Sequence, residues 1–364
     1  MDNDYTNIIA GLISSGNSIP LGGVRGVIAL LDDGASIPFI SRHRKEATGG
    51  HDEEQVALVK QQYEKLTEFL KRRETVLATI DEQGKLTEDL RAKIEDCYDP
   101  KQLEDIYLPY KPKRRTKATI ARERGLEPLA AIVMKQDGAD PLRVAERFVK
   151  GEVEDAGMAL AGACDIIAEW VSESERSRSA MRRLFGREAM LTSRVVKGKE
   201  HDGAKYSDYF DSAELLHRTP SHRLMAQLRG EREGILKISV APDEDKAIDQ
   251  LDRIFIKGDS PAADYIEDAI SDSYKRLLRP SMETEVLASA REKADEEAIA
   301  VFDSNLRQLL LASPLGQKRL TVIVPGFSRG CKDLCLDEQG GLLHNEPFYP
   351  HPPQIVVDRA RRLL

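Results

Sequence analysis

The chain has 364 residues and 41% hydrophobic content, enough for two or three ordinarily packed domains. Only 5% of it is aromatic while 32% is charged, a balance that suits amphipathic helices with solvated faces and excludes an aromatic-rich β-sandwich. With 54 Lys and Arg against 62 Asp and Glu the net charge is −8, which excludes non-specific nucleic-acid coating by the whole surface and leaves only local basic patches for phosphate.

The start, MDNDYTNIIAG, lacks the basic and apolar regions of a signal peptide, and no apolar run reaches bilayer length. A cytoplasmic protein with no membrane partner is expected. Cys97, Cys164, Cys331 and Cys335 form no CxxC pair and read as reduced core thiols.

In chain order, apolar residues predict one helix around Ile8 to Ile13 and another from Val24 to Leu31, closed by Gly34. Ser36 caps a short helix with Pro38 in its first turn and Gly49-Gly50 at its end, so that Arg42, Arg44 and Lys45 fall in its last turn. Cations there complement the negative helix end and need no ligand. Asp52 opens a long helix whose seam runs Val56, Val59, Tyr63, Leu66, Leu70, Leu77 and Ile80, interrupted by Arg73. Thr87 starts an antiparallel return through Leu90, Ile94 and Cys97, making an αα-hairpin.

Residues 111–117, KPKRRTK, hold five cations and no acid. Pro112 forbids a continuous helix, so Lys111, Lys113, Arg114 and Arg115 belong to an exposed loop running into a helix capped by Thr116, with Lys117 next. Cations at a helix start oppose the dipole by a few tenths to ~1 kcal/mol each, a conflict that an arriving phosphate removes. The alternative pairs these cations with Glu104, Asp105, Glu123 or Glu127, or docks them on an acidic protein surface. Further helices are expected to residue 190. In SERSRSAMRRLFGRE, Arg176, Arg183 and Arg187 line up along one helix face, either as a phosphate-tracking stripe or as the answer to an acidic helix.

Residues 201–245 read as a small helix/strand module with GILKISVAP as a strand, after a helical region 1–200. Residues 246–316 then hold long central helices, two of them meeting near Pro280. In 317–364 the period changes: RLTVIVPGF, CKDLCLDEQGG and LLHNEPFYP predict three short strands, and PQIVVDRARRLL begins a helix. That is too small a core for an α/β domain, so an incomplete one is expected; the fold class is mainly α with this α/β tail. No GxxxxGK[ST], GxGxxG or HExxH occurs, so no cofactor or metal is expected.

The stretches IPFISRHRKEATGG, IYLPYKPKRRTKATIARERGLEPLA, SHRLMAQLRGEREGIL and VPGFSRGCKDLCLDEQGGLLHNEPFYPHPPQ, in this order, resemble the bacterial Tex family of transcription accessory proteins. The resemblance implies a helical N-terminal region before a YqgF domain of RNase H type, the chain ending inside that domain. It also implies helix-hairpin-helix modules and a nucleic-acid-binding S1 domain beyond it. RNase H-like nucleases need a carboxylate at the end of their first strand to hold metal, and where the family pattern has Asp before PGF this chain has Val324. Three readings follow: a non-catalytic nucleic-acid-binding factor contacting RNA or DNA, a scaffold docking RNA polymerase or other transcription machinery, and a metal-dependent nuclease, which Val324 disfavours.

Overall fold

The computed structural model describes residues 3–112, 114–313, 316–326 and 331–349. Seven helices form the amino-terminal part: α1 (Asn3–Asn17), α2 (Leu21–Asp32), α3 (Ile37–His43), α4 (Lys45–Thr48), α5 (Glu53–Glu82), α6 (Glu88–Glu95) and α7 (Pro100–Tyr107). Gly34, at φ 83°, closes α2 as expected, its N–H donating to the Leu31 carbonyl. The helix expected from Ser36 to Gly49 is broken at Arg44 (φ −129°), so Arg42 lies in the last turn of α3, Arg44 sits at the break and Lys45 opens the four-residue α4. The break folds α4 back against α2, where the approach is close enough that a Cβ on Gly26 would sit 2.0 Å from the Ala47 carbonyl oxygen.

Asp52 and Gln55 form a reciprocal capping box at the start of α5, whose 30 residues extend about 45 Å. The interruption of its seam, Arg73, is buried, with its guanidinium donating to the Glu95 carbonyl at 2.6 Å and lying 5.5 Å from the Tyr98 ring. Arg73 thus ties the end of α6 to α5, using a carbonyl that the helix leaves unsatisfied. Thr87 caps α6 through the Leu90 N–H as expected, but the return arm is only 8 residues long.

The central helices are α8 (Lys117–Glu123), α9 (Glu127–Lys135), α10 (Pro141–Ala145), α11 (Ala156–Glu173) and α12 (Glu175–Glu188), followed by α13 (Ser221–Arg232), α14 (Glu244–Phe255), α15 (Ala263–Ser273) and α16 (Arg279–Leu310). Strands β1 (Met190–Val195), β2 (Asp211–Leu215) and β3 (Leu236–Ala241) form an antiparallel sheet with β1 in the middle. Sequence reasoning found β3 but missed the other two. On β1 the inner face is Leu191 and Ser193, both fully buried; the serine donates to the Tyr209 carbonyl at 2.8 Å, and this polar inner position hides the alternation.

The two helices expected to meet at Pro280 are instead joined by a π-helical turn, Tyr274–Leu278. Pro280 supplies no N–H and its ring would strike the carbonyl four residues back in a regular helix; the wider turn moves that carbonyl aside. Tyr274, Leu278 and Met282, all fully buried, hold the turn in the core.

Contacts divide the chain into two units, Met1–Ala294 and Asp295–Leu364. The first contains two large apolar clusters, one drawn from Ile9 to Tyr107 and one from Ala118 to Ala294 with α11 packed against α8, α9 and α15. In the second, the three expected strands, β4 (Leu320–Val324), β5 (Cys331–Leu336) and β6 (Leu342–Phe348), form an antiparallel meander. The helix expected from PQIVVDRARRLL lies outside the described residues. The fold is mainly α with a small strand-bearing carboxyl part, and no helix among the described residues is long and apolar enough to cross a membrane.

In that meander Val322, Ile323 and Val324 are 37–48% exposed, and Leu342 and Leu343 about 60%. Few buried apolar contacts hold its backbone hydrogen bonds closed. Amide hydrogen exchange is expected to be orders of magnitude faster in β4–β6 than in α5 or α11; equal protection in both regions would contradict this.

Candidate nucleic-acid interface

Residues 111–117 follow a 3₁₀ turn, Leu108–Tyr110, that is tied to α5 by the Gln83 amide donating to the Tyr110 carbonyl at 2.8 Å. Thr116 caps α8 as expected, accepting from the Thr119 N–H at 3.1 Å. Lys111, Arg114, Arg115 and Lys117 are all exposed; Lys113 lies outside the described residues.

Their surroundings differ. The Arg115 guanidinium pairs with Glu123 at 3.1 Å, on the wall of a cleft of about 550 Å³ where Arg124 also pairs with Glu152 at 3.1 Å. Lys117 faces Asp165 and Asp272. Burial pushes the Asp165 carboxyl up from its ordinary value while Lys117 and Arg276 oppose that shift; a hydrogen bond from Arg276, with help from Lys117, holds Asp272 below its ordinary value. Lys117 therefore serves in part as an internal counter-charge. Lys111 and Arg114 have no ion pair among the described residues. Among the described residues, Glu123 alone of the four acids suggested as loop partners pairs with the loop: Glu104 holds Arg72 through two bonds of 2.6 and 3.0 Å, Glu127 holds Arg122, and Asp105 is turned inward.

On α12 the arginines divide by face. At about 100° per residue, Arg176, Arg183 and Arg187 fall within an arc of about 40°. They are exposed, without an ion pair among the described residues. Ala180, Met181, Leu184 and Phe185 form the buried strip beside them. Across that strip lie Arg178 and Arg182, which sequence reasoning passed over. Arg178 Nε donates to Asp105 Oδ1 at 2.5 Å and Arg182 Nη1 to Asp105 Oδ2 at 3.0 Å; Arg182 also pairs with Glu285, and Arg178 reaches Ser281 at 3.3 Å. Asp105 is 4% exposed. The hydrogen bond to Glu285 is the largest influence on Arg182 and raises its pKa above the ordinary value against the opposing effect of burial. No hydrogen bond or ion pair among the described residues joins the 111–117 segment to Arg176, Arg183 or Arg187.

The cysteines are free. Burial pushes the Cys164 thiol up to about 12 and raises that of Cys97, which suits packing rather than nucleophilic chemistry. Among the described residues no group of three or more His, Cys, Asp and Glu is placed to hold a metal ion. Val324 is the last residue of β4, paired with Lys332, and supplies no ligand.

A helical scaffold with two small antiparallel sheets and exposed basic stripes on an acidic body defines the class of protein, and comparisons with known sequences resolve it further. The model of the Tex-like protein N-terminal domain matches residues 7–81, and that of the Tex central region matches residues 136–302. The transcriptional accessory protein Tex of Neisseria gonorrhoeae is 39% identical over 349 residues, which are 94% of this chain and 46% of that protein. Protein tex of Bordetella pertussis is 37% identical over 91% of this chain and 44% of its own length, and human S1 RNA-binding domain-containing protein 1 is 28% identical over 89% and 34%. The chain belongs to the Tex family. It spans about half the length of the bacterial relatives it matches.

The inward arginines generate a sharp expectation. Removing one partner of a buried ion cluster strands the others and costs about 3–5 kcal/mol. Asp105→Ala is expected to lower the urea midpoint followed by far-UV circular dichroism and to separate it from the emission of Trp170, the only tryptophan, which lies in the central cluster. Coincident transitions at the parent midpoint would show that the cluster does not couple the two cores.

Proposed function

We propose that this chain is a non-catalytic, nucleic-acid-contacting part of a Tex-type transcription accessory factor, with single-stranded RNA as its preferred polymer. The observation that carries the reading is the set of exposed cations without ion pairs among the described residues: Lys111 and Arg114 beside α8, and Arg176, Arg183 and Arg187 along one face of α12. Unpaired surface guanidinium groups on a chain of net charge −8 raise the local potential where a phosphate backbone needs it, and they release counterions when it binds. The names of the relatives, transcriptional accessory protein and S1 RNA-binding domain-containing protein, support the same direction. Arg115 belongs to this surface, exchanging its exposed pair with Glu123 for phosphate at small cost, and Lys113 is assigned to the same contact by its place in the sequence. Lys117, facing Asp165 and Asp272, contributes least. The absence of a carboxylate at Val324 supports a role without nuclease chemistry. RNA polymerase and other transcription machinery are the protein partners this role implies, in the cytoplasm.

A second reading, a scaffold that docks other proteins, draws on Ile299, Phe302, Leu306 and Leu309, which are 40–74% exposed at three- and four-residue spacing along α16.

Binding of a labelled single-stranded RNA through three to five phosphates gives log K against log salt a slope of about −2 to −4. Replacing Lys111 and Arg114 by alanine is expected to flatten the slope by about 1–2 and leave the unfolding midpoint unchanged. An unchanged slope in this folded variant would assign the loop to protein docking, and cleavage of the RNA in Mg²⁺ that a point variant abolishes would overturn the non-catalytic reading.

A further inference from the structure

Away from the surfaces described above, α13 and α16 enclose a cleft of about 300 Å³ lined by Met225, Leu228, Arg229, Glu231, Arg232 and Arg291. Its floor is apolar: Met225 and Leu228 are half-buried and pack against the central cluster. Its rim carries three exposed guanidinium groups. Arg229 and Arg232 lie one turn apart on α13, a spacing at which like charges repel. The negative end of that helix offsets this repulsion in part. The one acid in the cleft, Glu231, is turned toward β3, accepting from the Ile238 N–H at 3.4 Å, and Arg229 and Arg232 have no ion pair among the described residues.

We propose that this cleft binds one nucleotide unit, its phosphate held by the guanidinium forks of Arg229, Arg232 and Arg291 and its base laid on Met225 and Leu228. Guanidinium groups take two phosphate oxygens at once and stack on base faces, and an unpaired base needs an apolar floor of this kind. The volume lies at the small end of ligand sites, room for one nucleotide and not for a duplex. An acidic peptide would satisfy the arginines but leave the floor uncovered. The site accepts a free nucleotide or one residue of an unpaired strand by the same chemistry. It shares no residue with the Lys111–Lys117 loop and stands or falls independently of it.

The test uses the full chain with ¹³C-methyl-labelled methionine, titrated with AMP, a single-stranded RNA hexanucleotide and a deca-glutamate peptide. The Met225 methyl resonance is expected to shift with the hexanucleotide, with AMP, or with both, which assigns the source, and deca-glutamate is expected neither to reproduce the shift nor to displace the nucleotide. In Arg229→Gln/Arg232→Gln/Arg291→Gln, shown to be folded by circular dichroism and Trp170 emission, affinity for the hexanucleotide is expected to fall at least about 10-fold and the Met225 shift to vanish. Lys111→Ala/Arg114→Ala is expected to retain that shift, so failure of the loop reading leaves this one intact. A Met225 resonance that neither nucleotide ligand moves, displacement by deca-glutamate, or undiminished affinity in the folded triple variant would overturn the proposal.

Discussion

The architecture of the first unit depends on a cluster of buried charge: Asp105 on α7, Arg178 and Arg182 on α12, and Glu285 on α16. The two apolar clusters on either side are separate, one ending at Tyr107 and the other beginning at Ala118, so hydrophobic burial alone does not align them. Apolar packing is non-directional, whereas a carboxylate accepting from two guanidinium groups fixes both distance and orientation. The gain in net stability from such a cluster is small because four charges have lost water, but the penalty for any misaligned arrangement is large. The cluster therefore acts as a register device. The pair Lys93–Glu175, at 2.5 Å between α6 and α12, lies on the same seam, but both side chains are partly solvated and it adds little.

The parts of this design that were legible in the sequence are those whose cause is local. The capping role of Asp52, the caps at Thr87 and Thr116, the close of α2 at Gly34 and the three strands at the carboxyl end each depend on residues within a few positions of one another. What escaped depends on distant partners. Arg73 reads as a flaw in a heptad seam until the end of α6 is placed beside it, and β1 went unseen because its inner Ser193 is polar and is satisfied only by the Tyr209 carbonyl. Pro280 is a good predictor of a broken helix and failed here because the packing of Tyr274, Leu278 and Met282 favours a widened turn over a break.

The candidate site shows the same division. The exposed face of α12 could be read from spacing alone, since Arg176, Arg183 and Arg187 share it by helical geometry. That Arg178 and Arg182 face acids, and that Lys117 looks toward Asp165 and Asp272, follows from α7, α16, α11 and α15, none of which is near in sequence. Arg229 and Arg232 stand three positions apart in QLRGERE, a pair that sequence reasoning passed over; Arg291, some 60 residues further on, completes the cleft only in three dimensions.

Burial also separates what salt can reach. Exposed cations such as Lys111, Arg114 and Arg183 act through water and are screened within about 8–10 Å at physiological ionic strength, whereas the contacts of Asp105, 4% exposed, are screened far less. The same residue type, arginine, thus serves two purposes on one helix according to the face it occupies. On the inner face its charge is matched by carboxylates and holds the fold at any ordinary salt concentration; on the outer face its charge is unmatched and is available to an anion in proportion to how little salt competes. An acidic chain can in this way contact a polyanion without depending on it for folding, because the unmatched arginines have no ion pair among the described residues. On the proposed reading, ionic strength tunes binding while leaving the scaffold that presents the binding surface in place.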